Sequence, residues 1–266
     1  MVRSVGTHWP EYLSEAAGLG LFMVAAGLCA TLLEHPASPA REALPSAFLR
    51  RALMGVAMGL ALIGLIYSPW GRRSGAHLNP ALTLAFWRLG KVAWRDAVGY
   101  MTAQFLGGVA GTTVVVLLLG DLFRTPPIQA LATLPGDLGT GAAFAAEAAM
   151  TFTLMLMILL VSHAPRLARF TGLAVGLLIA GFITFEAPLS GTSLNPARTV
   201  ASALPSGTWT DVWVYFAAPT LGGLAAAQAY LWLRCDPVHC AKLLHCSGGH
   251  CVFCNCPPDK PPAVPG

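Results

Sequence analysis

The sequence predicts an all-α membrane protein with six transmembrane helices and two half-helices, arranged as two inverted three-helix repeats. Three observations predict this fold: six apolar stretches, a ten-residue motif that occurs twice, and the position of each copy after the second stretch of a set of three. Of the 266 residues 55% are hydrophobic and only 11% are charged. An ordinary soluble domain carries roughly 25% charged residues, so the composition excludes that class.

The apolar stretches have the length that a bilayer requires. A hydrocarbon core about 30 Å thick needs ~20 apolar residues for each helical crossing. The six predicted crossings are Tyr12–Leu33, Ala52–Tyr67, Ala97–Leu119, Gly141–Ser162, Phe170–Phe185 and Val212–Leu233. They divide the chain into a short N-terminus (1–11), a first repeat (12–119), a connecting loop (120–140), a second repeat (141–234) and a Cys/His-rich tail (235–266).

The basic residues predict the orientation of these crossings. Eleven Lys and Arg residues fall on the side of both termini and five on the opposite side. Because basic residues are enriched in cytoplasmic loops, we expect a multi-pass protein of a plasma or bacterial inner membrane with both termini in the cytoplasm. The formal net charge is +4, but the cations form no single basic face, so no nucleic-acid partner is expected.

The internal repeat decides the architecture. SGAHLNPALT at Ser74–Thr83 recurs as SGTSLNPART at Ser190–Thr199, with seven of ten positions identical. Each copy follows the second crossing of a three-crossing unit. Because three is odd, the second unit enters the membrane from the other side, and such inverted repeats bring their matching segments together at the midplane.

Each copy of the motif predicts a half-helix. The apolar run after each Asn spans only about half a bilayer at ~1.5 Å per residue. Asn is a favoured N-cap and Pro is favoured at the first helical position. The two helix starts are therefore Asn79-Pro80-Ala81 and Asn195-Pro196-Ala197. Their unpaired amides and positive dipole ends would point to one spot at the midplane.

These paired Asn-Pro-Ala boxes, with Arg198 after the second and an acid in the first and fourth helices, resemble the aquaporin (major intrinsic protein) family over about residues 10–234. The resemblance implies a passive channel for water and small uncharged solutes that excludes protons and ions. It also implies a homotetramer in the lipid bilayer and no enzymatic activity. Asn79 and Asn195 would donate hydrogen bonds to passing water, and the convergent helix dipoles would repel cations.

The resemblance also implies the selectivity filter. It places four residues at the outer constriction: Arg198, Thr192, Ile183 and Met58, with Gly59 as the alternative to Met58. Water-selective members carry His at the Ile183 position and Phe at the Met58 position, so this filter should be wider and more apolar. Glycerol facilitators usually carry Asp after the Arg, where this chain has Thr199. An aquaglyceroporin-like facilitator of glycerol, urea, ammonia or peroxide, with minor water flux, remains the alternative.

Two acids and one histidine lie near the predicted pore. Glu15 and Glu147 fall within apolar runs, where an ionisable group is costly unless it has a partner. By resemblance they are structural acids that accept backbone amides from the pore loops, which we favour over a proton relay. His77 either lines the cytoplasmic mouth or only packs there.

The tail carries six of the seven cysteines, between Cys235 and Cys256. Cytoplasmic thiols stay reduced, so metal ligation or free thiols are favoured over disulfides. Three interpretations remain: a metal site, a thiol-rich regulatory or packing tail, and a disordered end. A zinc ion would prefer a tetrahedral thiolate set, for which the candidates are Cys246, Cys251, Cys254 and Cys256. No other cofactor is predicted.

Three other classes of protein compete with a channel. A secondary transporter would need coupling acids or a charged site at the midplane, where this chain places two neutral amides. An intramembrane enzyme would need a nucleophile with a base, or metal ligands, within the crossings, and none is visible there. A metal-responsive sensor with a vestigial channel depends on the tail alone.

Overall fold

The chain folds into helices joined by short loops, as seen in a computed structural model that describes residues 8–233, 238–244 and 251–254. The helices of these described residues are α1 (Trp9–Glu34), α2 (Pro39–Ala43), α3 (Ala47–Tyr67), α4 (Pro69–Ser74), α5 (Pro80–Arg88), α6 (Trp94–Leu119), α7 (Asp121–Arg124), α8 (Gly139–Ser162), α9 (Thr171–Ser190), α10 (Pro196–Ser206) and α11 (Val214–Leu233). Single 3-10 turns occur at Gln129–Leu131 and Ala168–Phe170.

Six of these helices correspond to the predicted crossings. Within the described part of the chain, α1, α3, α6, α8 and α9 with its preceding turn are long and apolar enough to cross a membrane. The sixth, α11, has 20 residues and contains no charged residue. The half-helices are α5 and α10, each of which begins at the Pro of its Asn-Pro-Ala box. The predicted fold class is confirmed.

Two helices, α3 and α9, extend five residues beyond one end of their predicted stretches. Helix α3 begins at Ala47 rather than Ala52, because the Ser46 side chain caps it by accepting from Leu49 N–H at 3.3 Å. The extra turn contains Arg50, whose guanidinium pairs with Glu34 at 3.0 Å. Helix α9 continues past Phe185 to Ser190 and ends at Gly191, which has the left-handed conformation typical of a C-cap.

The two repeats pack in matching ways through glycine. In the first repeat α1 packs against α6, and in the second α8 packs against α11. A Cβ atom at Gly107 would overlap the carbonyl oxygen of Ala16, and one at Gly222 would overlap that of Ala148. Each of these alanines follows the buried acid of its repeat. The close approach therefore holds both acids at equivalent depths beside the third helix of their repeat.

Helices α3 and α9 join the two repeats. A Cβ at Gly59 would lie 2.5 Å from the carbonyl oxygen of Gly176, and a Cβ at Gly176 would lie 2.6 Å from that of Gly59. The relationship is reciprocal, as a two-fold axis in the membrane plane requires. In addition, α6 packs against α10 and α11 against α5, so each half-helix is held by the third helix of the other repeat.

The outer surface of the bundle is apolar. Leu117, Leu106, Phe185 and Leu221 are all more than half exposed, which suits contact with lipid chains. All seven tryptophans are exposed and lie at or beside helix ends: Trp9, Trp70, Trp87, Trp94, Trp209, Trp213 and Trp232. Tryptophan is enriched at the two membrane–water interfaces. The protein is accordingly an integral membrane protein.

The glycine contact between α1 and α6 gives a first prediction. Gly107→Ala forces the two helices apart, because the new Cβ cannot coexist with the Ala16 carbonyl. We expect a loss of ~1–3 kcal/mol of stability, equivalent to an unfolding midpoint in detergent lowered by roughly 3–10 °C. Gly64→Ala in α3 is the matched control, because a Cβ there meets no atom within 4 Å. Equal midpoints for both variants would contradict the proposed close approach.

Candidate functional site

The two half-helices meet at their capped ends. The Asn79 Oδ1 accepts from Ala81 N–H at 2.9 Å, and the Asn195 Oδ1 accepts from Ala197 N–H at 3.0 Å. Each side chain also reaches the opposite repeat. The Asn79 Nδ2 donates to the Leu194 carbonyl and the Asn195 Nδ2 to the Leu78 carbonyl, both at 2.7 Å. The structure thus brings the two Asn-Pro-Ala boxes together at one point.

The loops before the caps share an unusual backbone conformation. Each has positive φ angles at the first, second and fourth of four consecutive residues: Gly75 (99°), Ala76 (56°) and Leu78 (49°) in one, and Gly191 (81°), Thr192 (50°) and Leu194 (55°) in the other. Non-glycine residues adopt this region only where the surroundings impose it. A loop of this kind leaves several amides without helical partners, and these must be satisfied within the bilayer.

Two buried carboxylates satisfy those amides. Glu15 accepts from the N–H groups of His77 at 3.0 Å and Leu78 at 2.6 Å. Glu147 accepts from those of Ser193 at 2.7 Å and Leu194 at 2.6 Å. Hydroxyls of the same loops also donate to them, from Ser74 at 2.6 Å and Ser190 at 2.7 Å. Both acids are fully buried and lie where we expect structural acids to lie.

Further loop contacts were not predicted from the sequence. The Tyr100 hydroxyl donates to the Ser74 carbonyl and the Tyr215 hydroxyl to the Ser190 carbonyl, both at 2.7 Å. In the first repeat only, the Gln104 side-chain amide donates to Glu15 at 2.7 Å. A signal for Gln104 existed, since it is a lone amide in an apolar crossing, where polar side chains are costly without a partner.

A cavity of about 230 Å³ runs beside the two caps. A single water needs ~10–15 Å³ by this measure, so the cavity has room for a file of small molecules. Asn79 and Asn195 line it, and so do all four residues predicted for the filter: Met58, Ile183, Thr192 and Arg198. The alternative residue, Gly59, instead contacts Gly176.

Arg198 lies at the end of the cavity opposite the tail, near the connecting loop. Its Nη1 donates to the Leu131 carbonyl at 2.9 Å, which fixes the guanidinium against the wall. Thr192 donates to a carboxylate oxygen of Glu186 at 2.6 Å. A second cation, Arg51, lines the same end and was not predicted to do so. Glu34 also lines the cavity but is paired with Arg50, so this end has a net positive charge, whereas the middle of the cavity is mainly apolar.

His77 lies at the other end of the cavity, beneath part of the tail. Its ring is only 2% exposed but borders the cavity. Nδ1 lies 3.1 Å from the Thr83 hydroxyl and Nε2 lies 2.8 Å from the Ala241 carbonyl. The ring also stacks against Phe86, with centroids 4.9 Å apart. His77 thus combines both expected roles, packing and bordering the mouth.

Three tail thiols form a group that could hold a metal. Among the described residues, the Sγ atoms of Cys240, Cys251 and Cys254 all lie within 4.8 Å of one another. Of the predicted zinc set, Cys251 and Cys254 belong to this group, whereas Cys246 and Cys256 lie outside the described residues. The hydrogen bond from the Cys240 thiol, together with backbone amides of residues 253 and 254, lowers the pKa of Cys251 below its usual value.

Comparison with known proteins decides the family. The model of the family described as Major intrinsic protein (MIP) matches residues 1–230. The chain belongs to the major intrinsic protein family. It is 39% identical to Aquaporin NIP1-3 of Oryza sativa subsp. japonica over 180 residues. The matched region covers 67% of this chain and 61% of the rice protein. It is also 39% identical over 183 residues to the probable aquaporin AqpM of Archaeoglobus fulgidus, and this match covers 68% of this chain and 74% of that protein.

A solved structure of a major intrinsic protein shows the same fold. The X-ray structure of the aquaglyceroporin from Plasmodium falciparum superimposes with a TM-score of 0.71 at 24% identity, covering 84% of this chain and 95% of that one. The predicted family resemblance is confirmed. The match spans about three fifths of the rice relative's length.

The buried acids give a second prediction. Glu15→Gln keeps the shape of the side chain but replaces one acceptor oxygen with a donor that faces the loop amides. We expect a loss of ~1–3 kcal/mol for each amide left unsatisfied, seen as a lower unfolding midpoint in detergent, and a disordered pore loop that abolishes solute flux. Glu147→Gln should behave alike, because its contacts repeat those of Glu15.

Glu42→Gln is the matched control for both variants, because Glu42 is an exposed acid in α2. It should leave the unfolding midpoint and the flux unchanged. If Glu15→Gln were as stable and as permeable as Glu42→Gln, the carboxylate would not be what orders the loop.

Proposed function

We propose that this protein is a passive transmembrane channel for water and small uncharged solutes that excludes protons and ions. One observation carries the proposal: Asn79 and Asn195, the caps of two facing half-helices, lie side by side on the wall of one mainly apolar cavity. A row of small neutral molecules that passes this point exchanges hydrogen bonds with both amides. Family membership supports the same class of activity.

The side chains of Asn79 and Asn195 can replace hydrogen bonds that a passing water loses. A carboxamide nitrogen carries two protons, and each Asn uses one of them for the carbonyl of the opposite loop. The second proton remains to donate to a water oxygen. Because the wall around this point is mainly apolar, a water here turns its oxygen toward the two amides, and its protons point away along the file.

The same point repels cations. The positive ends of α5 and α10 both face it, and a dipole end acts as roughly half an elementary charge. The fixed charge of Arg198 adds to the barrier at the outer constriction. Glu15 and Glu147 are fully buried and occupied by loop amides, and Glu34, which lines the cavity, is paired with Arg50. A hydronium ion therefore meets two successive barriers.

The filter favours solutes larger than water. Ile183 and Met58, which line the cavity, offer neither the bulk nor the hydrogen-bonding groups of a His and Phe pair. Arg198 and Thr192 leave one polar side for a hydroxyl or amide group. This composition supports the second candidate, a facilitator of glycerol, urea, ammonia or peroxide with minor water flux.

The proposal includes the orientation and the assembly. The excess of Lys and Arg on the side of both termini supports cytoplasmic termini, so Arg198 faces outward and the tail inward. We propose a homotetramer with one pore in each subunit, on the strength of family membership. The exposed apolar faces leave room both for lipid and for neighbouring subunits.

Stopped-flow measurements on proteoliposomes test the proposal. Vesicles that contain the protein should shrink faster than protein-free vesicles in an osmotic gradient and should admit glycerol or urea, while a pH-sensitive dye reports no added proton leak. Absence of acceleration for water and for every one of these solutes would contradict the channel.

The filter gives a third prediction. Ile183→His places a longer, polar ring at the outer constriction, so glycerol flux should fall roughly tenfold, which corresponds to ~1.4 kcal/mol of added barrier, while water flux is kept. Ile183→Leu is the matched control because it conserves volume and polarity, and it should leave the glycerol to water ratio as in the wild type. A ratio unchanged by His would remove Ile183 from the filter.

A further inference from the structure

Two segments of the tail, residues 238–244 and 251–254, pack against the inner mouth of the cavity and form the inner-mouth cap. The Ala241 carbonyl lies 2.8 Å from His77 Nε2, and the Leu243 N–H donates to the Gly75 carbonyl at 3.2 Å. The Lys242 ammonium donates to the Arg72 carbonyl at 3.0 Å. The cap thus contacts the loop that precedes the first half-helix.

The cap presents apolar side chains to the cavity. Leu243 is 2% exposed and borders the cavity. It belongs to one apolar cluster with Ile66 and Ile158, which line the same end. Phe253 covers His77, with ring centroids 5.8 Å apart and planes within 11°. An apolar constriction can close a channel because water leaves it, and the cap places such side chains at the inner mouth.

The thiol group ties the two parts of the cap together. Cys240 precedes Ala241 in the first part, whereas Cys251 and Cys254 flank Phe253 in the second. The Sγ atoms of Cys240 and Cys251 are 3.4 Å apart, and all three lie within 4.8 Å of one another. Three thiolates at ~2.3 Å from a tetrahedral zinc lie about 3.8 Å apart, which requires only small side-chain movements.

We propose that Cys240, Cys251 and Cys254 bind a soft divalent cation such as Zn²⁺, and that the bound ion fastens the inner-mouth cap and closes the channel. The gating part rests on the proposed function, whereas the metal site does not. A disulfide would use two of the three sulfurs and leave one, and thiols on the cytoplasmic side stay reduced. Water or a further tail ligand completes the tetrahedron.

Ion binding would close the channel because it is thermodynamically linked to the position of the cap. An ion that binds the three thiols only when both parts of the cap are in place stabilises the capped state, and the stabilisation grows with the ratio of ion concentration to its dissociation constant. Without the ion, the cap is held by a few hydrogen bonds and by apolar contacts, so it exchanges between capped and open states. The ion therefore shifts an existing equilibrium.

Metal binding is tested first, on the full-length protein in detergent. After treatment with a chelator and dialysis against zinc, elemental analysis should find one zinc per chain, and cobalt in its place should give the absorption of a thiolate complex. The double variant Cys251→Ser, Cys254→Ser should lose both signals. Cys29→Ser is the matched control, because Cys29 lies in α1 away from the cap, and it should retain them.

Gating is tested next, in proteoliposomes under reductant. Zinc should lower the water permeability of wild type and Cys29→Ser about tenfold, and a chelator should restore it. The Cys251→Ser, Cys254→Ser variant should be as permeable with zinc as without. Leu243→Ala separates the two steps: it should still bind zinc but lose most of the inhibition, because the apolar constriction is gone.

The outcomes distinguish the separate claims. Absence of stoichiometric zinc in the wild type overturns the metal site. Zinc that binds without changing flux overturns the gate alone, and flux that responds to oxidant and reductant but not to chelator replaces the metal with a disulfide. If zinc-free wild type and every variant are impermeable to all solutes, the proposed channel is contradicted and the gate with it, while the elemental analysis still decides the metal site.

Discussion

The acceptance of loop amides by a buried carboxylate in each repeat is the interaction on which the site depends. A half-helix that begins at the bilayer midplane needs a non-helical loop to reach it, and that loop carries amides that lipid cannot satisfy. Glu15 and Glu147 satisfy them with both oxygens. The carboxylates hold positive φ angles at Leu78 and Leu194, which turn the carbonyls of these residues toward the opposite asparagine.

The two repeats share the buried carboxylate that accepts loop amides but differ in the other side chains around it. The first repeat adds Gln104 to its carboxylate, whereas the second has Pro219 at the matching position after the shared tyrosine. The second repeat adds Arg198, tied to the Leu131 carbonyl of the connecting loop. Arg198 lines one end of the cavity, whereas Gln104 is buried beside Glu15. The charged filter residue therefore lies at one mouth, and part of the tail, which belongs to neither repeat, borders the other.

Features that depend on a short stretch of sequence could be predicted from the sequence alone. We could predict the crossing lengths, the caps at Asn79 and Asn195 and the isolated acids, because each follows from the thickness of the bilayer or from the chemistry of helix ends. The sequence does not show pairings that join distant segments through backbone atoms, such as the contact of Arg198 with residue 131. Nor does it show which thiols converge: irregular cysteine spacing suggests a cluster, but only the folded tail brings Cys240 beside Cys251.

The separation of the two mouths explains how selectivity and closure coexist in one narrow cavity. A gate built from filter residues would have to move Arg198, whose guanidinium donates a hydrogen bond to the Leu131 carbonyl. The inner-mouth cap acts at the other end, where it hydrogen-bonds to Gly75 and His77 in the loop before the first half-helix. The carboxylate of Glu15 keeps that loop ordered independently of the cap. Opening at the inner mouth therefore leaves both asparagines and the filter in place.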